Sequence, residues 1–507
     1  MTTASKPHRL IVASNRLPVV LSQQGAGGDW RLERGSGGLV TALEPVLRER
    51  GGVWIGWPGI EKGKVADIDA LLARSTTGEG YEVKGVDLTA RQRDDFYLGF
   101  SNQVIWPLFH DLLTQCNFDP RFWKTYRSVN ARFARKIAEE LQSGDFIWVH
   151  DYHLMAVARD LRNAGVTQPM GFFLHIPFPP LDLFLALPWR YRILDSLLAF
   201  DLLGFQTARD RRNFLQCLEH MAPDVAVSGQ GRVQRVAVGD RTVKVGVFPV
   251  SIDFDEFAGT AQSDAVSERV AGLRSEFLGR TMILGVDRLD YSKGIPHKLQ
   301  GYRLALERYP DLRERVTLVQ LVVPSREDIP EYFQMKEEVE KLVGQIQGQF
   351  TRSGWVPIHY QYGRWDRTEL IAHYRAAGIA LVTPLKDGMN LVAKEYCASS
   401  LGGKGVLVLS EFAGASAQLQ DHALLVNPHD VEGIADAIHR AFTMPASERQ
   451  RRMQALRTIV RETGIGWWVD TYLEAASDED DEGSSDLEMT RPRAPEGFLE
   501  EAETGEG

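Results

Sequence analysis

A chain of 507 residues, 44% hydrophobic and 25% charged, has an ordinary globular composition and is long enough for two or three cores. No apolar run approaches the roughly 18 to 20 residues of a membrane span, and the opening MTTASKPHRLIVASN lacks a signal-peptide pattern, so the sequence predicts a cytoplasmic protein without a membrane partner. The net charge of −10 belongs to the tail: residues 477–507 hold twelve acids and two arginines, which leaves a balanced body and no basic surface for nucleic acid.

In chain order, short β-branched runs alternate with stretches of helical period. RLIVAS at 9–14 reads as a strand and LVTALEPVLRE at 39–49 as a helix; DFIWVH, MGFFLH and DLLGFQ follow as strands, separated by LMAVARDLRNAG and YRILDSLLAF. A second series begins after KVGVFPVSI at 244–252. Its strands are TMILGVDR, RVTLVQLVV, PIHYQY, GIALVTPL, GVLVLS and ALLVNP, with helical segments between them, including a long charged one near 331–347. Such alternation predicts parallel strands with crossover helices, here in two doubly wound α/β domains. The expected bounds are 1–248 and 249–455, with closing helices at 456–477 that cross back to the first domain. The tail 478–507 is too acidic and too poor in apolar residues to offset its ordering entropy, so disorder is expected there.

In open α/β sheets, ligands bind outside the carboxyl ends of the strands, so polar residues directly after strands are the candidates. SNRLP places Arg16 after the first strand. In GSGGLVTALEP, Gly37 and Gly38 precede a helix, where backbone N–H groups can approach an anion, although a glycine pair is also an ordinary turn. VHDYHL places Asp151 and His153 at a strand end, and FFLHIPFPP places His175 before three stiffening prolines. A lone histidine reads as structural; three polar groups at successive strand ends read as a site.

GVDRLDYSKGIP puts Arg288 and Lys293 in one loop before a helix, and VVPSRED puts Arg326 after the next strand. Cations at a helix entry are opposed by the helix dipole. They are explained by an anion between them, with arginine as a fork and lysine as a point charge for a diphosphate, or by pairing with the neighbouring Asp287 and Asp290. PLKDGMNLVAKEY, after GIALVT, sets Asp387 and Glu395 across a strand-to-helix turn, which alone also fits solvated acids.

Metal chemistry finds little support. The D-x-D strings at Asp67 and Asp69, Asp253 and Asp255, and Asp478 and Asp480 arise by chance among 68 acids and lack clustered His or Cys partners, so no metal is expected. Cys116, Cys217 and Cys397 read as small buried hydrophobes. No phosphate loop of the G-x-x-x-x-G-K type and no G-x-S-x-G elbow occurs.

Taken together, SNRLP, GSGGL, FSNQVIWPLFH, WVHDYHLM, GFFLHIPFP, DLLGFQT, VDRLDYSKGIP, PSRED and TPLKDGMNLVAKEY resemble, in order and spacing, the trehalose-6-phosphate synthase family of retaining glycosyltransferases. The resemblance runs from about residue 9 to residue 473. It implies the GT-B architecture, two Rossmann-like domains facing across a cleft. The implied reaction moves glucose from a nucleotide-glucose, normally UDP-glucose, to the anomeric hydroxyl of glucose 6-phosphate, without metal or cofactor. A homo-oligomer is also implied.

Carried over by motif, the donor side falls on Gly37, Gly38, His175, Arg288, Lys293, Asp387 and the run Asn390, Leu391, Val392, Ala393, Lys394 and Glu395, with Trp365 near the base. The acceptor side falls on Arg16, Tyr97, Trp106, Asp151 and Arg326. Arg288 and Lys293 would hold the diphosphate, Arg16 and Arg326 the phosphate of the acceptor, Asp387 the hydroxyls of the transferred glucose and Glu395 the ribose. Double displacement needs a carboxylate nucleophile, and none stands out. The family's reaction on one face lets the leaving phosphate oxygen take the acceptor proton while the two cations stabilise it. UDP, ADP and GDP remain open as the nucleotide. The competing readings are a glycerol 3-phosphate acceptor and a non-catalytic sensor of sugar phosphates. Residues 22–34 lie outside the strong match, and the sequence leaves open whether they form a mobile lid.

Overall fold

The computed structural model describes residues 9–23, 30–35, 38–65, 68–75, 78–325 and 330–477. Its first half carries β1 (Leu10–Arg16), β2 (Val19–Gln23), β3 (Trp30–Arg34), β4 (Gly52–Trp57), β5 (Glu82–Gly85), β6 (Phe146–His150), β7 (Met170–Phe173), β8 (Leu202–Phe205), β9 (Ala226–Ser228), β10 (Val233–Val238) and β11 (Arg241–Val247). The second half carries β12 (Thr281–Arg288), β13 (Val316–Val323), β14 (Ile358–Tyr362), β15 (Ile379–Val382), β16 (Val406–Ser410) and β17 (Leu424–Val426). Helices between them start where short polar side chains satisfy free backbone N–H groups: Thr207, Asp253, Ser263, Asp366 and Asp430 each cap the helix that follows. None of the described helices is long and apolar enough to cross a membrane.

The first sheet has nine strands in the order β5-β4-β1-β6-β7-β8-β11-β10-β9, parallel except at the β10 and β9 edge. The second has six parallel strands in the order β14-β13-β12-β15-β16-β17. Helices cover both faces, which is why β1, β4, β6, β7, β8, β15 and β16 are buried along their whole length, save for Arg16 at the end of β1. Each order reverses once next to its first strand, between β1 and β6 and between β12 and β15. Those reversals open crevices at the carboxyl ends of the strands.

Several expectations change. The segment left open between Arg16 and Gly37 contains an antiparallel ribbon, β2 paired with β3 from Val19 opposite Arg34 to Gln23 opposite Trp30; residues 24–29 lie outside the described residues. The antiparallel edge at 226–247 was not foreseen, because β9 has no buried position and β10 only Val236, which leaves little apolar pattern to mark them. The crossing to the first half begins at Thr463 and Gly464, not at residue 456. Ala446–Glu462 is one unbroken helix whose Met453, Leu456 and Val460 pack in the second half, and only Ile465–Ala476 lies on the first sheet. There the Tyr472 ring stacks on Trp148, with centres 4.4 Å apart, and its hydroxyl donates to the Phe172 carbonyl. Gly171 and Gly204 make that fit possible: a Cβ on either would lie 2.5 to 2.7 Å from the Tyr472 ring or hydroxyl. The acidic tail 478–507 lies outside the described residues.

Candidate active site between the two sheets

The first wall starts at the end of β1. Arg16 is exposed, with its guanidinium carbon 4.2 Å from the Trp57 ring centre and 5.9 Å from that of Tyr97. Trp57 closes β4, the neighbouring parallel strand. Stacking on rings fixes the guanidinium plane while leaving its edge donors available to an anion.

Tyr97 and Trp106 come from an unusual element. Arg93–Ile105 is a π-helix, followed directly by the α-helical turn Trp106–Phe109. Such wide helices concentrate at functional sites. Inside it, the Asn102 amide donates to the Tyr97 carbonyl and accepts from the Tyr152 hydroxyl, while the Tyr97 ring stacks on His153.

Asp151 follows β6 with φ 75° and ψ 166°, a backbone conformation costly for a non-glycine residue. Its N–H donates to the Phe173 carbonyl, and its carboxylate accepts from the His175 N–H at 3.3 Å. His175 is buried, with Nε2 lying 3.2 Å from Nδ1 of His150. Burial pushes the His175 imidazole down to about 3, and burial together with His175 holds His150 well below its ordinary value. Both rings are therefore neutral hydrogen-bonding groups rather than phosphate-binding cations.

The second wall starts at β12. Arg288 is exposed, lies 5.6 Å from the Trp106 ring centre, and pairs with no carboxylate among the described residues. The alternative of pairing with Asp287 or Asp290 does not arise. Asp287 is taken by Lys298 and Gln320, and Asp290 accepts from Ser292, Tyr332 and Trp106.

Lys293 is buried and bonded to Asp387 at 2.6 Å. Two residues assigned to different parts of a donor thus form one pair. Asp387 also accepts from the Asn390 side chain at 3.1 Å and the Met389 N–H at 3.3 Å. Burial alone would raise the Asp387 carboxyl; the charge and hydrogen bond of Lys293 outweigh it and hold the group below the usual carboxylate range.

Asn390 sits at φ 66°, a conformation asparagine tolerates, and caps Leu391–Ser399 by accepting from the Ala393 N–H. Gly388 brings the walls together: a Cβ there would lie 2.4 Å from the His175 carbonyl oxygen and 2.7 Å from Cα of Ile176.

The structure gathers Arg16, Tyr97, Trp106, Asp151 and His175 on one wall and Arg288, Lys293, Asp387 and Asn390 on the other. Leu391 and Val392 open the helix after Asn390, half-buried, and Gly38 opens the helix Gly38–Arg50. Gly37 and Arg326 lie outside the described residues.

One assignment changes, and three other assigned residues, Ala393, Glu395 and Trp365, carry contacts within the chain. Lys394 faces away from the cleft: its ammonium donates to the Val250 carbonyl and to Gln418, and burial pushes it down to about 7. Helical rotation sets it on the inner face, where it ties the helix to the segment joining the halves. The Ala393 N–H is used by the Asn390 cap. Glu395 accepts from the Tyr374 hydroxyl at 2.8 Å, and burial raises its carboxyl. Trp365 stacks on His373 with ring centres 3.9 Å apart and donates to Gln361.

Sequence reasoning missed Trp57, His110, Asp111 and Lys386. His110 is buried, donates from Nδ1 to the Trp106 carbonyl, and is pushed down to about 4 by burial. It closes the string FSNQVIWPLFH, and that string was the one available signal. Among the described residues no three His, Cys, Asp or Glu side chains are placed to hold a metal ion.

The family profile of glycosyltransferase family 20 matches residues 8–478. The chain is 43% identical over 502 residues to the trehalose-6-phosphate synthase of Mycolicibacterium smegmatis, with 97% of each chain covered. It is similar to an α,α-trehalose-phosphate synthase (UDP-forming) from Burkholderia xenovorans solved with glucose-6-phosphate. That TM-score is 0.82, at 36% identity over 92% of this chain and 99% of the other. An E. coli trehalose-6-phosphate structure bound with UDP-2-fluoro glucose also gives 0.82, at 35% identity over 92% and 98%. The two facing sheets are the GT-B architecture those structures share.

Proposed function

The chain belongs to glycosyltransferase family 20, and on that premise we propose that it moves glucose from UDP-glucose to glucose 6-phosphate, with retention and without a metal. The observation that carries this reading is the opposition of two switch points. One bears Arg16 on its aromatic bed, and the other bears Arg288 beside the Lys293–Asp387 pair. The donor and the acceptor each bring phosphate, and cations stand ready on both sides. The relatives solved with glucose-6-phosphate and with UDP-2-fluoro glucose support assigning the two ligands.

In this reading the acceptor phosphate lies on Arg16, joined by Arg326, and the donor diphosphate on Arg288 and Lys293. Arg288 supplies positive charge that no described carboxylate offsets. Lys293 supplies a donor held in place by Asp387. The carboxylate of Asp387, already bonded to three donors, is a poor nucleophile but retains acceptor capacity for a sugar hydroxyl. Transfer then runs on one face. The bond from the anomeric carbon to the β-phosphate oxygen breaks as the acceptor oxygen bonds that carbon, and the leaving oxygen takes the acceptor proton. Charge growing on the diphosphate meets cations already oriented, which needs no reorganisation in the transition state.

The test is direct. The full chain with UDP-glucose and glucose 6-phosphate should release UDP and form the α,α-linked disaccharide phosphate, as read by NMR, at the same rate in excess EDTA. UDP release with glycerol 3-phosphate but not glucose 6-phosphate would overturn the acceptor assignment. Loss of turnover in EDTA would overturn metal independence. Arg326→Ala should raise KM for glucose 6-phosphate and leave that of the donor unchanged; a change confined to the donor would remove Arg326 from the acceptor side.

A further inference from the structure

The short segment 106–111 of the first half is fastened to the second half at both ends. Trp106 donates from Nε1 to the Asp290 carboxylate at 3.4 Å, and Asp111 forms an ion pair with Lys386. Between them His110 is buried against the Trp106 ring.

Asp111 stands just past the turn Trp106–Phe109 with φ 63°. After a helix end, that left-handed position is most often filled by glycine, which adopts it without strain. An aspartate there carries a conformational cost, and what it adds over glycine is a carboxylate aimed at Lys386.

The Lys386 side chain is 10% exposed and threads into the first half, where it also faces Arg209 and Asp210. Asp210 is already engaged by the Phe178 N–H and the Thr207 hydroxyl, and Asp111 is the ion-pair partner of Lys386 among the described residues. Lys386 directly precedes Asp387, which holds Lys293, and Gly388, which rests on the His175 backbone. One end of the segment thus touches the acceptor wall through Trp106, and the other grips the donor loop.

Resting on the glucosyl-transfer reading, we propose that Asp111 and Lys386 are a positioning pair that couples the two substrate sites. Neither side chain reaches the reacting atoms. The pair sets the loop 384–390 against the acceptor wall, so a donor nucleotide that orders the loop also orders Trp106. Linkage then requires the acceptor to tighten the donor by the same factor.

The experiment measures, by calorimetry on the full chain, the affinity for glucose 6-phosphate with and without saturating UDP, alongside kcat and both KM values. In the parental protein UDP should tighten glucose 6-phosphate. In Asp111→Asn and in Lys386→Met that tightening should fall by about tenfold, within the range of ordinary coupling. The affinity for UDP alone should stay close to parental in both variants, and in Lys386→Met, which leaves only the 40% exposed Asp111 unpaired, so should the thermal midpoint; a purely structural role would move both. Lys386→Arg, which keeps the charge, should retain the coupling. Single variants with parental coupling and parental kcat overturn the pair's role. A parental chain that releases no UDP in the presence of glucose 6-phosphate overturns the transfer reading instead, so the two failures are distinguishable.

Discussion

The wall built on the first sheet buries neutral imidazoles among aromatic rings, whereas the wall built on the second buries charges in pairs. His150 and His175 share a hydrogen bond beside Trp148 and Trp468, and His110 sits against Trp106. Across the cleft, Lys298 pairs with Asp287 and Lys293 with Asp387, all four buried. A nucleotide diphosphate concentrates negative charge at one place, and a cation waiting for it out of water must be compensated in advance. A hexose phosphate carries most of its recognition in hydroxyls and one terminal phosphate. Under the proposed assignment, the neutral polar groups and aromatic faces of the first wall, with Arg16 at its open edge, suit it.

The contrast can be broken first at the paired charges. Lys293→Ala removes a cation and leaves the buried Asp387 without a counter-charge, so turnover should fall by about 10²- to 10³-fold and stability by about 3 to 5 kcal/mol, read as a lower urea midpoint. Arg288→Ala should lose comparable turnover with an unchanged midpoint, because Arg288 is exposed and has no described carboxylate partner. Near-parental kcat in either variant would remove the cations from the reaction.

Gly388→Ala tests the contact between the walls. Its Cβ would collide with the His175 carbonyl and force the loop back. Displacement of that order can cost about a hundredfold in kcat. Parental kcat would show that the walls separate freely during turnover.

Arg16→Ala should act on the acceptor alone, raising KM for glucose 6-phosphate by about 10- to 100-fold, the equivalent of roughly 1.5 to 3 kcal/mol for a charged hydrogen bond. Titrating both substrates checks it, and an equal effect on UDP-glucose would refute the separation.

The smallest effect per step belongs to the neutral histidines. The folded chain holds His175 near 3, so below the ordinary imidazole value near 6.5 the unfolded chain takes up a proton that the folded chain refuses. The contribution is complete above that value and is lost as pH falls toward 3, by about 1.4 kcal/mol per pH unit for each such imidazole. Urea midpoints at pH 7.5, 6 and 5 read the slope. A flat profile would mean that the rings are protonated in the fold.

Much of this arrangement was legible one residue at a time. Arg16, Asp151, His175 and Arg288 drew attention because each ends a strand or follows it within two residues, and Asp387 because it stands in the turn between a strand and a helix; open α/β sheets place such residues in the crevice. Lys394 was misplaced because a motif numbers residues along a helix without saying which face turns inward. Trp57 gave no signal, since a tryptophan at a strand end reads as core until the neighbouring strand brings Arg16 onto it.

By itself, the sequence determined the alternation of strands and helices, the caps, the glycine turns and the polar residues at strand ends, all of which depend on neighbours a few positions away. Only the tertiary structure decided that Lys293 meets Asp387, 94 residues on, or that Asp111 meets Lys386, 275 residues on. The physical reason is that a charge pair depends on separation in space. Sheet register and the packing of the halves set that separation, and no local propensity encodes it.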